Sequence, residues 1–144
     1  MGRKGWSLDR MNIILDSNEY IFYLQKKSTL TDILLKSKVK IYLNELIVKE
    51  VLRNIDENMK KQFFKLLLNS KFIVFDKKIP IEYINDFKDF GLKKGDLIIA
   101  ILYKMTNADY LITENRHFLK KQIKDIRVIS ASEFRKRFNL QNNY

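Results

Sequence analysis

The sequence predicts an α/β fold, specifically a three-layer α/β/α sandwich with a central parallel sheet. Short apolar runs of strand length alternate along the chain with longer stretches in which apolar residues recur at helical spacing. Strands separated by helices form βαβ units, whose strands are parallel and whose helices cover the sheet. The chain has 144 residues, 46% of them hydrophobic, and no Gly/Ser-rich linker interrupts it. We therefore expect a single domain over 1–144, with its core at about 12–138, a short basic N-terminal tail and a polar C-terminal tail.

The first half of the chain follows this alternation closely. Asn12–Leu15 is short, apolar and β-branched, which is typical of a buried strand, and apolar residues occupy every second position of Val39–Leu43. A third apolar run, Phe72–Phe75, predicts another strand. Between the strands, apolar residues repeat every three or four positions, as on one face of a helix. The predicted helices are Asn18–Lys26, Thr31–Leu35, Glu45–Asn54 and Met59–Leu68.

The second half contains clearer signals for where helices begin. Pro80 opens a helix, because its fixed φ suits a first turn, and Gly91 ends that region. The Ile- and Leu-rich stretch Asp96–Met105 predicts a helix that is buried on more than one side. Ser130 precedes Glu133 by three residues, the spacing of a capping box at the start of the last helix. The fourth and fifth predicted strands are Tyr110–Thr113 and Arg127–Ile129.

Composition narrows the chemistry that this chain can perform. The sequence has 28 Lys and Arg against 17 Asp and Glu, a formal net charge of +11, which favours a polyanionic partner unless it reflects a general bias towards Lys. The absence of Cys excludes disulfides, thiolate metal sites and cysteine nucleophiles. His117 is the only histidine, which excludes a multi-histidine zinc site. No apolar run is long enough for a signal peptide or a membrane span, so we expect a cytoplasmic protein without a membrane partner.

Several acids fall where strands end or helices begin, the edge at which open α/β sheets bind ligands. Asp16 ends the first strand, Glu50 lies at the edge of the apolar face of its helix, and Asp96 precedes the most apolar helix. Glu114 and Asn115 follow the fourth strand. Carboxylates brought together repel one another, and a divalent cation relieves that repulsion. Oxygen ligands suit Mg²⁺ or Mn²⁺.

The first three of these positions also have a structural explanation. Asp16 and Asp96 suit helix N-caps, and Glu50 has Arg53 three residues away as an ion-pair partner. Glu45 competes with Glu50 as the acid of its helix, although its position near the N-terminus is explained by the helix dipole alone.

Four segments of the chain, each with its own motif, together match the motifs of one known family in order and spacing from Asn12 to about Ile129. They are Ile13–Asn18, Ile41–Glu50, Gly95–Ala100 and Ala108–Phe118. With these segments the chain resembles the PIN domain, a family of metal-dependent nucleases that includes VapC-type toxins. The last segment is the most specific, because it is similar to the family's Ala-Asp-Tyr-Leu-Val-Thr-x-Asp-x-x-Phe.

The resemblance implies a set of site residues. Asp16, Glu50 and Asp96 would be acidic metal ligands and catalytic residues. At the position of the family's fourth acid this chain has Asn115. Either Asn115 acts as a catalytic residue in its place, or Glu114, one position earlier, serves as the metal ligand. Residues that would orient the ligands or hold the substrate are Asn18, Thr113, Lys93, Lys94 and Arg116, of which the three cations are equally well explained as solvated surface charge.

The implied activity is hydrolysis of RNA phosphodiester bonds by a metal-dependent endoribonuclease, the toxin of a toxin–antitoxin pair. RNA, a cognate antitoxin and a second copy of the chain are the expected partners; the helix with Phe63, Phe64 and 66–68 is the expected dimer face. Two alternatives stay open: a weak or inactive nucleic-acid-binding or interaction module, and a housekeeping RNA-processing nuclease. A haloacid-dehalogenase-like phosphatase is disfavoured, because it would need Asp where Asn18 stands.

Overall fold

The computed structural model describes residues 10–121, 123 and 125–140, so most of the two predicted tails lies outside the described residues. Within this part, five strands form one sheet. They are β1 (Asn12–Leu15), β2 (Lys40–Leu43), β3 (Phe72–Val74), β4 (Tyr110–Ile112) and β5 (Val128–Ile129). All five predicted strands are confirmed, with ends that differ by at most one residue.

Eight α-helices connect and follow the strands in the described part of the chain. They are α1 (Ser17–Leu24), α2 (Leu30–Leu35), α3 (Glu45–Arg53), α4 (Glu57–Leu67), α5 (Ile81–Phe87), α6 (Lys94–Met105), α7 (Arg116–Lys120) and α8 (Ala131–Arg137). Every predicted helix is present, and α7 is an additional one. The two turn residues act as the sequence indicates: Pro80 is the N-cap of α5, and Gly91 adopts a left-handed φ of 67° after a short 3-10 turn at Lys88–Phe90.

The sheet is parallel throughout, with the strand order β3-β2-β1-β4-β5. From the central β1 the chain steps outward to β2 and β3, then crosses back to add β4 and β5 on the other side. Crossovers between parallel strands are right-handed. The helices that connect β1 to β2 and β3 therefore lie on one face of the sheet, and those that lead to β4 and β5 lie on the other face. The contacts agree, since α1 packs against α2, α3 and α4, whereas α5 packs against α6. The predicted α/β fold with a central parallel sheet is confirmed.

The core is built on β1, whose Ile13, Ile14 and Leu15 are fully buried. A strand flanked by two neighbours and covered on both faces has no polar face, which explains its uninterrupted apolar sequence. Aromatic rings extend the core on both sides of the sheet centre: Tyr20 meets Phe63 edge-on at 5.7 Å between ring centroids. The core therefore holds the carboxyl end of β1 rigidly.

Helix α4 uses only part of its apolar surface in the core. Phe63 and Leu66 are buried, whereas Phe64 is 50% exposed and Leu68, directly after the helix, is 85% exposed. The homodimer stays a prediction, and these two side chains are the exposed members of its expected face. No helix in the described ranges has the length and apolar character needed to cross a membrane.

The strand order creates a crevice at one defined place. Parallel strands end at the same edge, and connections leave β1 and β4 in opposite directions. Ligands of open α/β sheets bind at such a switch point, beyond the carboxyl ends of the strands. Asp16 follows β1 at this edge, and residues 113–115 follow β4.

Candidate active site

A short hydrogen bond joins the two sides of the switch point. The buried Thr113 donates its Oγ1 hydroxyl to Asp16 Oδ2 at 2.6 Å. The other oxygen of Asp16, Oδ1, accepts the Ser17 N–H at 2.8 Å, so Asp16 is also the N-cap of α1. The structural and the functional explanation of Asp16 therefore hold together, and both carboxylate oxygens have a fixed direction.

Glu50 reaches the same edge from α3. Its Oε2 accepts the Ser17 hydroxyl at 3.2 Å, next to Asp16 in sequence. Its Oε1 lies 3.9 Å from Arg53 Nη2, a loose and largely exposed ion pair that contributes little to stability. The competing acid Glu45 is exposed and paired with Lys49 at 2.9 Å, away from this contact. Of the two acids in α3, Glu50 is the one that meets the switch point.

Asp96 joins the site from the other side of the crevice. Helix α6 begins at Lys94 with Lys93 as its N-cap, so Asp96 lies in the first turn and does not cap the helix. Its Oδ1 accepts the side-chain amide of Asn115 at 3.4 Å. Burial raises the pKa of Asp96, and the negative charges of Asp16 and Glu50 raise it further, against the opposing effect of His117 and Lys93. Asp96 is therefore close enough to Asp16 and Glu50 to be affected by their negative charges.

Asn115 and Glu114 point to different partners. Asn115 donates to Asp96, its Oδ1 accepts the His117 N–H at 2.9 Å as the N-cap of α7, and its own N–H donates to Thr113 Oγ1 at 3.0 Å. Glu114 is exposed, and its Oε2 accepts the Ala131 N–H at 2.9 Å. In this structure Asn115 belongs to the hydrogen-bonded site, whereas Glu114 contacts the start of α8.

The predicted substrate residues surround the crevice. Asn18 is exposed on the first turn of α1. Lys93 and Lys94 are exposed where α6 begins, and Arg116 is exposed where α7 begins. Each of these cations is exposed within three residues of Asp96 or Asn115, where it could contact a polyanion.

One acid of the site is not indicated by the sequence patterns. Glu19, in the first turn of α1, is only 2% exposed, and its Oε2 has no hydrogen-bond partner among the described residues. Burial, followed by the charges of Glu114 and Asp16, raises its pKa from 4.5 to about 7, and Arg135 opposes this rise. The only available signal was its spacing of three residues from Asp16, which puts both on one side of a helical turn.

The chemistry of these donors fits a hard divalent cation. Carboxylate and amide oxygens are the ligands that Mg²⁺ prefers, and the mutual repulsion of Asp16, Glu50 and Asp96 is the kind that a cation relieves. In the part of the chain that is described, however, no three Asp, Glu or His side chains converge closely enough to form a complete ligand group. Ion binding would therefore have to draw these carboxylates together.

Three solved structures have folds similar to this one. A chain of VapBC2 from Rickettsia felis, bound to a DNA fragment from its promoter, matches with a TM-score of 0.60 and 19% identity over 83% of this chain and 98% of that one. A chain of a toxin-antitoxin complex from Klebsiella pneumoniae matches with a TM-score of 0.60 and 18% identity, over 82% of this chain and 96% of that one. The PIN domain of T. brucei RRP44 matches with a TM-score of 0.53 and 10% identity, over 87% of this chain and 79% of that one.

The fold is that of a PIN domain. The resemblance carried by the four sequence segments is thereby confirmed at the level of fold. No protein-family model matches the sequence, and neither does any curated protein. The PIN fold puts the carboxyl ends of β1 and β4 side by side, which is where Thr113 meets Asp16.

Proposed function

We propose that this protein is a divalent-metal-dependent endoribonuclease that acts as the toxin of a toxin–antitoxin pair. The observation that carries the proposal is the hydrogen-bonded connection across the switch point. It runs from Asp16 through Thr113 and Asn115 to Asp96. Three separate parts of the sequence, at Asp16, Asp96 and 113–115, thus meet in a crevice of a PIN fold, inside a chain with a net charge of +11.

The residues that would hold the metal are Asp16, Glu50 and Asp96, with Asn115 or Glu114 in the fourth place. When bound, a divalent cation supplies an activated water for attack on phosphorus and neutralises the charge that develops in the transition state. Of the two fourth-place candidates, Asn115 is the one whose side chain contacts Asp96. An amide adds no negative charge, so this site would bind a cation less tightly than a four-carboxylate site.

The other residues of the crevice orient the ligands. Thr113 fixes one oxygen of Asp16, the Ser17 hydroxyl fixes one oxygen of Glu50, and Asn115 holds Asp96. Such contacts reduce the rotamer freedom that a carboxylate must lose on binding an ion. Lys93, Lys94 and Arg116 would hold the phosphates of the RNA, while the overall positive charge increases the rate of encounter.

The direct test is cleavage of single-stranded RNA by the purified full chain with Mg²⁺ or Mn²⁺. We expect Asp16→Asn and Asp96→Asn to reduce cleavage by a factor of about 100 or more, because each removes a charged ligand. Asp86→Asn is the matched control, since Asp86 is an exposed acid on α5. Equal activity in all four proteins would contradict the proposal, as would equal and negligible activity. A DNA strand of the same sequence tests the preference for RNA.

The toxin assignment is supported by the similarity to chains of VapBC2 and of the Klebsiella toxin-antitoxin complex. Its test is genetic. We expect expression of the chain to arrest growth and co-expression of a small adjacent gene to restore it. Growth that is unaffected by the chain, or an arrest that the neighbour does not relieve, would favour the housekeeping nuclease.

A second candidate function is a nucleic-acid-binding or interaction module without catalysis. The observation that favours it is the amide at Asn115, together with the lack of a converged group of three ligands among residues 10–121, 123 and 125–140. Titration calorimetry with Mn²⁺ distinguishes the two. Heat of binding that disappears in Asp96→Asn supports the nuclease, whereas no binding to the unsubstituted protein supports the module.

A further inference from the structure

The protein has a surface pocket in which every lining residue is basic. It has a volume of about 190 Å³ and is lined by Arg116, His117, Lys120 and Lys121, from α7 and the residue after it. Within the described ranges, none of these four side chains forms an ion pair with a carboxylate. The positive charges of Arg116, Lys120 and Lys121 beside the pocket are therefore not neutralised by an ion pair among the described residues.

This pocket begins directly beside the acids of the crevice. Asn115, the N-cap of α7, contacts Asp96 at 3.4 Å, and the charge of His117 acts on the same carboxylate. From Asn115, which contacts Asp96, to the middle of the pocket residues at 118–119, the helix advances by about one turn, roughly 5.4 Å along its axis. That length is comparable with the spacing between successive phosphates of a nucleic-acid strand. A strand with one phosphate at the acids would thus bring its next phosphate over the pocket.

The wall of the pocket is fixed to the rest of the site. Lys121 donates its Nζ to the Phe90 and Gly91 carbonyl oxygens at 2.9 Å and 3.0 Å. This contact ties the end of α7 to the turn that leads into Lys93 and α6. The Lys121 end of the pocket is therefore held against the segment that leads into α6 and Asp96, so the pocket is not a loose surface patch.

We propose that this pocket is a phosphate subsite that binds the RNA phosphate next to the one being cleaved. The inference rests on the proposed function for the identity of the strand. The guanidinium of Arg116 can donate to two oxygens of one phosphate. The flexible side chain of Lys120 ends in a point charge that can stay close to a phosphate when the RNA backbone moves. His117 and Lys120 thereby gain a role in substrate binding, and the subsite sets the direction in which the strand leaves the acids, along α7.

The test measures how binding of a fluorescent single-stranded oligoribonucleotide depends on salt. The full chain carries Asp16→Asn, so that the strand stays intact. In this background we compare Arg116→Gln/Lys120→Gln with Lys38→Gln/Lys40→Gln. The second pair removes the same charge from two exposed lysines at the opposite, amino edge of the sheet. Anisotropy titrations at five KCl concentrations give the dissociation constant and its slope against salt.

Each phosphate contact contributes about 0.7 to the slope of log K against log salt for a single strand. We therefore expect the pocket pair to reduce the magnitude of the slope by about 1.4, and Lys120→Gln alone to reduce it by about half of that. The control pair should leave the slope almost unchanged, because it lowers only the general attraction. Equal slopes for the two pairs, or an unchanged slope in the pocket pair, would overturn the subsite and leave the pocket to an acidic protein partner.

Cleavage by the protein with Asp16 intact separates this inference from the proposed function. If RNA is cleaved but the slopes are equal, the subsite is wrong and the nuclease stands. If RNA is not cleaved but the pocket pair lowers the slope, the subsite stands as part of a binding module and the nuclease is wrong.

Discussion

The buried carboxyl of Glu19 predicts an unusual dependence of stability on pH. This acid is almost fully buried, and its pKa rises from 4.5 to about 7 because of burial and the neighbouring charges of Glu114 and Asp16. A folded state with a raised carboxyl pKa holds more protons than the unfolded state between pH 4.5 and about 7. Stability therefore falls as pH increases through this window and stays reduced above it. Below the window the contribution disappears, because both states are protonated.

The magnitude follows from the same values. Each pKa unit is worth about 1.4 kcal/mol, so the rise from 4.5 to about 7 corresponds to about 3 to 4 kcal/mol at most. Glu19→Gln keeps the shape of the side chain and removes its ionisation. We expect this variant to be more stable than the unsubstituted protein at pH 8, by about 1 to 3 kcal/mol, and to differ little from it at pH 4.5. The lower end allows for the loss of the attraction to Arg135.

The assay is urea unfolding of the full chain at intervals from pH 4.5 to pH 8, with a chelator present so that no divalent ion binds. Glu82→Gln is the matched control, since Glu82 is exposed on α5. The reasoning is refuted if the free energy of unfolding of Glu19→Gln follows the same pH curve as that of the unsubstituted protein. It is equally refuted if Glu82→Gln gains as much stability at pH 8.

Three further predictions follow from contacts in the site and the core. Thr113→Val removes the hydroxyl that donates to Asp16 at 2.6 Å, and it should reduce kcat for RNA cleavage by a factor of about 10 to 100. Undiminished cleavage would contradict this prediction. Gly91→Ala should lower the free energy of unfolding by about 1 to 2 kcal/mol, because its φ is 67° and a new Cβ would approach Lys121 Nζ to 3.2 Å; an unchanged denaturation midpoint would count against this. Phe63→Ala, at a fully buried position, should cost about 3 to 5 kcal/mol in the same measurement, and a loss below 1 kcal/mol would show that the core closes around the gap.

The strands and long helices were predictable because their apolar patterns are set by burial. β1 is apolar at three successive positions since it is flanked and covered on all sides, and α6 is rich in Ile and Leu for a similar reason. Helix α7 was not predictable, because five residues are too few to show a period. Its start depends on the Asn115 side chain, whose orientation is fixed by the contact with Asp96, a residue from another element.

The site was partly predictable, for a different reason. Asp16 was indicated by its place at the end of a strand, because ligands of open α/β sheets bind at that edge, and Asp96 by its place before the most apolar helix. Whether Asn115 or Glu114 contacts the other site residues depends on which way each side chain points from the backbone. The residues next to them in the sequence do not indicate this direction. The burial of Glu19 runs against the usual exposure of acids, so only the folded structure reveals it.

The hydrogen bond between Thr113 and Asp16 also has a consequence for when the candidate site can form during synthesis. Its two partners are 97 positions apart, whereas Ser17 and Glu50 are separated by only 33. The half of the site with Glu50 can form early, but the half with Thr113, Asn115 and Asp96 waits until β4 pairs with β1. Contacts of such long range form slowly, because a large loop must close before they provide any stabilisation. Incomplete chains ending before β4 would thus lack the crevice altogether, and the nuclease activity that we propose would belong only to chains that have passed that point.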